Sequence, residues 1–299
     1  VRARSMAQRR AGAGTSRAIA AQPTLDSAMP LLRESGYGQR LGGACGLAAA
    51  ERAVQADVLW QLRVLAGWLP ASGTALARAI AGIYEIENIV ALAHRLAGGA
   101  PAHEFFALGA LTTAWPRLRT AGSSEELAAS LRASVWGDVG TAEPGPMRDA
   151  LTVAWARRLA AAASAARPWC GAACVLMAAR MVLVDGAGRS AQVVHLLRPV
   201  LGRSWEGASG IAGFTAALPP SLQRVVLGVE SPEDLWRAEA RAHAAVESDG
   251  FRLLRGSMPG PDVVLGAIAV LALDAWRVRA ALAAAAAGAG SSEVLDAAA

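Results

Sequence analysis

The sequence contains no lysine, and all 29 of its basic residues are arginine. A phosphate-binding loop of the Gly-x-x-x-x-Gly-Lys type is therefore excluded, because that loop needs its lysine to reach the phosphates. The same chain is rich in alanine, so we interpret the arginine excess first as a bias of genomic composition. Arginine and acidic residues are interspersed over most of the chain. The pI near 10 therefore does not predict a nucleic-acid partner.

Cysteine is scarce, with three residues that lack the spacing of a disulfide framework. Cys170 and Cys174 lie one helical turn apart in an apolar run, which favours two buried thiols over a metal site. A reducing, cytoplasmic compartment fits this usage. The sequence also lacks the His-Glu-x-x-His and Gly-x-Ser-x-Gly motifs of catalysis. The histidines are widely spread, and we expect each to be a surface or core residue: His94, His103, His195 and His243.

Long apolar runs without charges are missing, although the chain is 54% hydrophobic. The best candidate for a membrane span, residues 263–288, is mostly alanine and contains Asp274, Arg277 and Arg279. Three charges in the middle of a bilayer are costly. We therefore predict a buried or partner-facing helix there and no direct membrane span. The arginine-rich start is followed by no apolar segment, so we expect no secretory signal.

The composition favours an all-α fold, because alanine dominates while aromatic residues make up only 5%. Residues 81–104 carry the clearest helix pattern, ended by two glycines and a proline. Glu85 and Glu87 fall largely off its apolar face. Asn88 stands out, since a short amide lowers helix propensity. It is interpreted either as an exposed polar position or as an amide that ties this helix to a neighbour. The apolar face contains Ile83, Ile86, Ile89, Val90, Leu92, Ala93 and Leu96.

The remaining pattern predicts further helices that are bounded by serine, glycine and proline. The predicted helix that precedes the terminal one starts at Ser231 and is expected to end at Ser248-Asp249-Gly250. The predicted helices cover residues 1–20, 25–34, 47–69, 74–98, 127–132, 146–166, 168–185, 231–246 and 263–288.

An internal repeat relates these helices at low identity. At a shift of 99 residues, the segment 32–38 aligns with 131–137, and this places Tyr37 on Trp136, each followed by glycine. At a shift of 189 residues, Asn88 aligns with Arg277. We therefore predict three related helical lobes. Their expected boundaries are 1–110, 111–205 and 206–299, with the third lobe closing on the first.

Five motifs occur in a fixed order along the chain, at residues 1–6, 32–38, 84–98, 261–268 and 277–279. The third begins with residues 84–89, which read Tyr-Glu-Ile-Glu-Asn-Ile. On these motifs the chain resembles the family of the C subunit (also called the d subunit) of the V-type and A-type rotary ATPases. The residues that match the family signature are Tyr37, Tyr84, Glu87, Asn88, Trp136, Arg277 and Arg279.

The resemblance implies an all-helical funnel of three lobes that sits on the cytoplasmic face of the membrane as a peripheral component. In that family the funnel accepts the central rotor shaft and rests on the proteolipid ring. It transmits torque in proton or sodium transport and performs no chemistry. The resemblance implies no cofactor, no metal and no nucleotide site.

The chain departs from the family pattern at two places. Relatives usually carry a Lys-Glu pair and a further acidic residue in the terminal helix, where this chain has Ala272, Leu273, Asp274 and Trp276. The middle copy is almost wholly apolar from 170 to 183. The alternatives to a rotary coupling protein are a helical-repeat adaptor with a different protein partner, and a helical enzyme. The repeat of roughly 90–100 residues argues against the usual helical arrays.

Overall fold

The computed structural model describes residues 2–100, 104–185, 190–256, 260–290 and 295. All regular structure in these residues is helical, and they contain no strand, which confirms the all-α prediction. They group into two compact units. The terminal unit comprises Val1–Pro70 and Ala240–Ala299, and the central unit comprises Ala71–Glu239. The division into three lobes stays a prediction.

The α-helices are numbered along the chain. They are α1 (Arg2–Ala7), α2 (Gly12–Ala20), α3 (Leu25–Glu34), α4 (Gly38–Leu41), α5 (Leu47–Ala66), α6 (Ala71–Leu96), α7 (Trp115–Leu118), α8 (Ser124–Arg132), α9 (Pro144–Ala162), α10 (Arg167–Arg180), α11 (Ala191–Leu201), α12 (Gly210–Ala217), α13 (Pro220–Gln223), α14 (Leu235–Leu254) and α15 (Pro261–Ala286).

The terminal unit is built around α15, which packs against α1, α2, α3 and α5. Its apolar residues surround the helix, so it is buried over most of its 26 residues. The prediction of a buried helix in this segment is confirmed. Helix α3 begins and ends where the sequence predicts, because Thr24 caps it by accepting a hydrogen bond from the Ser27 N–H.

Helix α14 corrects a predicted boundary. The sequence places a stop at Ser248-Asp249-Gly250, but the helix continues to Leu254. Gly250 is buried against α15 opposite Gly266. A Cβ atom on Gly266 would lie 2.6 Å from the Gly250 carbonyl oxygen and 2.8 Å from the Leu253 Cβ atom. Gly250 therefore permits a close approach of two helices, and it does not end one.

The central unit is built around α6 and α9, which pack along each other, with α7 and α8 beside α6 and with α10 and α11 beside α9. Trp155 on α9 lies against Gly82 on α6, where a Cβ atom would approach the Trp155 Cδ1 atom to 2.8 Å. Its indole N–H donates to the Ala79 carbonyl oxygen at 2.8 Å. One large and one small residue thus fix the contact between α6 and α9.

Helix α10 continues into a π-helical turn, Met181–Asp185. Among the described residues, the segment Ser164–Val184 alone has the length and hydropathy of a membrane span, and 39% of its most apolar window is buried. A core helix of similar length has the same hydropathy. Cys170 and Cys174 are both buried, as predicted, and burial raises their pKa values to about 11 and about 12.

The crossing of α14 and α15 generates a prediction. Gly266→Ala forces the two helices apart, so we expect the free energy of unfolding to fall by about 1–3 kcal/mol. The matched control is Gly14→Ala, in the exposed part of α2, where a Cβ atom meets nothing within 4 Å. That change gains roughly 0.5–1 kcal/mol from helix propensity. Urea unfolding followed by circular dichroism measures both, and equal stability of the two variants would contradict the close crossing.

Candidate functional site

Polar residues on α6 and α15 form one buried cluster in each unit. The central cluster consists of Glu85 and Asn88 on α6 with the backbone groups that they bind. The terminal cluster consists of Asp274 on α15 with Tyr37 and the backbone of residues 11–12. Each cluster joins a 26-residue helix to a segment distant in sequence.

Glu85 is 1% exposed, so the expectation that it lies off the apolar face of α6 was wrong. Its carboxylate accepts hydrogen bonds from the backbone N–H groups of Thr113, Ala114 and Trp115 and from the Thr113 hydroxyl. These N–H groups lead into α7, and the first N–H groups of a helix have no partner within it. Burial of the carboxylate is therefore offset by four donors and by the partial positive charge of a helix start.

Asn88 is 1% exposed and binds the backbone of one residue at both of its amide atoms. Its Nδ2 donates to the Phe106 carbonyl oxygen at 3.0 Å, and its Oδ1 accepts from the Phe106 N–H at 2.6 Å. The interpretation as a connecting amide is confirmed, with the partner being the segment that follows α6. Tyr84 packs edge-on against the Phe106 ring, 5.2 Å between ring centres.

Asp274 is fully buried in the terminal unit. It accepts from the N–H groups of Ala11 and Gly12, each at 2.7 Å, and from the Tyr37 hydroxyl at 2.8 Å. Gly12 has a φ of +81°, which a residue with a side chain rarely adopts. The break between α1 and α2 thus occurs where the chain turns its N–H groups towards Asp274.

The two clusters correspond to each other under the sequence repeat. The shift of 189 residues that aligns Asn88 with Arg277 also aligns Glu85 with Asp274. The turns after α3 and α8 correspond as well. Ser35 Oγ donates to the Leu32 carbonyl oxygen at 2.6 Å, and Ser134 Oγ donates to that of Leu131 at 2.7 Å. The alignment of Glu85 with Asp274 was the signal in the sequence that could have identified both carboxylates.

Arg277 has a different role from Asn88. Its guanidinium forms a two-pronged ion pair with Glu247 of α14, and the hydrogen bonds to Glu247 raise the Arg277 pKa. Arg279, two residues on, is partly buried, and its Nε has no acceptor among the described residues. Arg277 therefore supplies a contact between α14 and α15.

Glu87 and Trp136 belong to the central unit but not to the central cluster. Glu87 is partly exposed and pairs with Arg148 of α9 through both carboxylate oxygens. Trp136 is buried in the turn after α8, and the Arg158 guanidinium lies over its ring at 4.7 Å. Burial lowers the pKa of Arg158, and the nearby Glu85 carboxylate opposes that shift.

The signature residues are thus divided between the units. Tyr37, Arg277 and Arg279 lie in the terminal unit, and Tyr84, Glu87, Asn88 and Trp136 lie in the central unit. His94, His195 and His243 do not converge on one site in the described structure. His103 lies outside the described residues. The part of the chain that the structure describes contains no group of three potential metal ligands.

Comparison with known proteins adds no assignment. No family model matches this chain, and no curated protein matches it.

The terminal cluster predicts coupled stability. Asp274→Ala removes the acceptor of three hydrogen bonds, so we expect a loss of about 3 kcal/mol in the free energy of unfolding. Tyr37→Phe removes the hydroxyl that donates to Asp274 and costs about 1 kcal/mol. In the double variant the tyrosine change should cost less than it does alone, because its hydrogen bond to Asp274 is already gone.

Urea unfolding of the four proteins in this cycle measures the coupling. Asp262→Ala is the matched control, since Asp262 is exposed in the first turn of the same helix. It should cost about 0.5 kcal/mol through the helix dipole. Additive effects of Asp274→Ala and Tyr37→Phe would show that the two side chains do not depend on each other.

His243 predicts a dependence of stability on pH. Its ring packs edge-on against Trp276, and burial together with the charge of Arg277 lowers its pKa to about 4. Its Nδ1 has no hydrogen-bond partner among the described residues. In the unfolded chain the pKa of a histidine is near 6.5, so the unfolded chain binds the proton more tightly than the folded one. The stability that neutral His243 contributes is therefore complete above pH 6.5 and is lost as the pH falls towards 4.

We compare the wild type with His243→Gln, which stays neutral. Between about pH 7 and about pH 4.5 the wild type should lose roughly 2 kcal/mol more stability than the variant. Urea midpoints at the two pH values, converted with the measured slopes, test this difference. The same loss in both proteins would contradict the neutral, buried state of His243.

Proposed function

We propose that this chain is a non-catalytic subunit of a V-type or A-type rotary ATPase. In this role it couples the central rotor shaft to the membrane proteolipid ring on the cytoplasmic side. The proposal extends the resemblance in the motifs at residues 32–38, 84–98 and 261–268. It implies protein partners only, with no cofactor and no reaction of its own.

The observation that supports this role best is the repeated buried cluster. Two long helices, one in each unit, carry a carboxylate at corresponding positions, Glu85 and Asp274. Each carboxylate binds the backbone of a distant segment, and each is at most 1% exposed. Buried carboxylates with such contacts serve architecture, which suits a protein that acts by its shape.

A protein that transmits torque has to resist deformation under load. Hydrogen bonds between a charged side chain and backbone groups are stronger than neutral ones, and they fix both position and direction. The tight contacts at Gly82 and at Gly266 leave little room for helices to slide. Dense interiors have low compressibility and transmit strain. Stiffness within each unit is therefore a property that the sequence encodes at several independent positions.

The same residues are poorly suited to catalysis. All oxygens of Glu85 and Asp274 accept hydrogen bonds from neutral donors, and neither carboxylate reaches solvent. A general base needs access to the proton that it removes. Both buried carboxylates are thus engaged inside the fold.

Affinity purification tests the proposed partners. The tagged chain is isolated in mild detergent from the native membranes of the cells that make it, and co-purifying proteins are identified by mass spectrometry. Recovery of the proteolipid and of the central-shaft proteins would support the coupling role. Recovery of neither, with another protein in stoichiometric amount, would contradict it and support the adaptor interpretation.

A functional comparison separates coupling from hydrolysis. Asn88→Ala removes both hydrogen bonds between the side-chain amide and the Phe106 backbone, at a cost of about 2–3 kcal/mol. We expect complexes with this variant to lose at least half of their ATP-driven ion transport, while the isolated soluble head keeps its full rate of ATP hydrolysis. Gln22→Ala, which removes an amide that donates to the Ala18 carbonyl oxygen of the preceding helix α2 in an exposed hydrogen bond, should leave both rates unchanged. Loss of ATP hydrolysis in the isolated head would contradict the proposal.

A further inference from the structure

The central unit contains a cleft of about 480 Å³ that none of the roles above uses. Three elements form it: the turn that follows α8, the middle of α9 and the first turns of α11. Its most prominent side chains are those of Trp136, Arg157, Arg158, Gln192 and His195. The cleft is open to solvent on one side, because Arg157 and His195 are both exposed.

The walls of the cleft are held together by a specific close approach. Gln192 on α11 donates from its side-chain amide to the Asp138 carbonyl oxygen at 2.8 Å. Gly140 has a φ of +70°, and a Cβ atom there would lie 2.6 Å from the Gln192 Cβ atom. Only glycine permits this approach. His195 follows Gln192 by one helical turn and therefore lines the same cleft.

The charge of the cleft is predominantly positive. Arg157 and Arg158 line it from α9, and neither forms a salt bridge among the described residues. Asp138 is the one acidic residue in the lining. Its carboxylate accepts from the Gly140 N–H at 3.0 Å and lies 3.7 Å from Arg132 Nε, so it is already engaged. Glu85 is near Arg158, but its oxygens bind residues 113–115.

Two buried donors on side chains that line the cleft have no partner among the described residues. The Trp136 indole Nε1 and the Arg158 Nη1 are both enclosed, and neither has an acceptor there. Trp136 is 3% exposed, and Arg158 stacks over its ring. Buried donors in native proteins are nearly always paired. An acceptor that carries negative charge would satisfy the guanidinium and offset its desolvation.

We propose that this cleft binds an oxyanion, a phosphate or carboxylate group, held by Arg157, Arg158 and His195 above the Trp136 ring. Arginine suits this ligand because its planar fork matches the oxygens of both groups. The site uses no residue of the central or terminal cluster, and it shares only Trp136 with the residues that match the family signature. A ligand that reaches Trp136 Nε1 would also accept from it after a small shift of Arg158.

The oxyanion has two possible sources, a free anion or an acidic side chain of a protein partner. Val135, beside the cleft, is 59% exposed and offers an apolar contact next to the positive charge. A peptide could use that contact, whereas a free phosphate ion could not. The two sources therefore differ in how much they depend on Val135.

Isothermal titration calorimetry tests the proposal on the full chain at low ionic strength, where charge interactions are least screened. The probes are inorganic phosphate and a Glu-Glu peptide blocked at both ends. We expect one of them or both to bind with a dissociation constant of about 1 mM or tighter. Binding of phosphate alone identifies a free anion, and binding of the peptide alone, weakened by Val135→Ser, identifies a partner's carboxylate.

The variants identify the site. Arg158→Gln and the exposed Arg157→Gln should each weaken binding by about tenfold, since each removes a charge-assisted hydrogen bond. Trp136→Phe removes the indole donor together with part of the buried ring and should weaken binding about threefold to tenfold. Arg119→Gln is the matched control, an exposed arginine of the same unit outside the cleft.

Two results would overturn the proposal. One is the absence of heat with both probes at concentrations up to about 10 mM, well above the expected dissociation constant. The other is an equal loss of affinity in Arg119→Gln and Arg157→Gln, because that would reflect net charge and not a site. If a substitution at Trp136 or Arg158 prevents folding, Arg157→Gln still tests the proposal, because Arg157 is exposed.

Discussion

Two buried carboxylates determine how the long helices of this protein engage the rest of their units. Glu85 and Asp274 each accept hydrogen bonds from backbone N–H groups near the start of a short helix. A buried carboxylate without such donors would be prohibitively costly, and helix starts without acceptors would also be costly. The carboxylate therefore removes the cost of the unpaired N–H groups, and the N–H groups remove the cost of the buried carboxylate. The position of α2 on α15, and that of α7 on α6, follow from this mutual requirement.

The packing around these clusters makes use of small residues. Gly250 and Gly266 bring α14 and α15 together, and Gly82 receives Trp155 between α6 and α9. Alanine-rich helices allow such close approach because their surfaces project little beyond the backbone. The ion pair of Arg277 with Glu247 then joins α14 to α15 by charge as well as by shape. Each unit is thus held by several contacts of different physical kinds.

This construction bears on function in two ways. The residues of the resemblance motifs are mostly engaged inside the units, which agrees with a mechanical role and gives a reason for their pattern without any chemistry. The cleft at Trp136 and Arg158 differs from them, because its positive groups face an open cavity and retain donors without an acceptor among the described residues. One fold therefore contains both a set of structural contacts and a separate place where an anion fits.

The sequence by itself determined the all-α class, the bounds of α3 and a helix over residues 263–286 that does not span a membrane in our interpretation. Those features depend on local periodicity, capping and composition, which a sequence displays directly. The sequence left Asn88 open between an exposed position and a connecting amide, and the structure decided for the second. Tertiary structure decided that Glu85 is buried, that α14 continues through Gly250, and that Arg277 meets Glu247. Each of these outcomes depends on a partner distant in the chain. Local propensity cannot register such a partner, and the energy of the contact outweighs local preference.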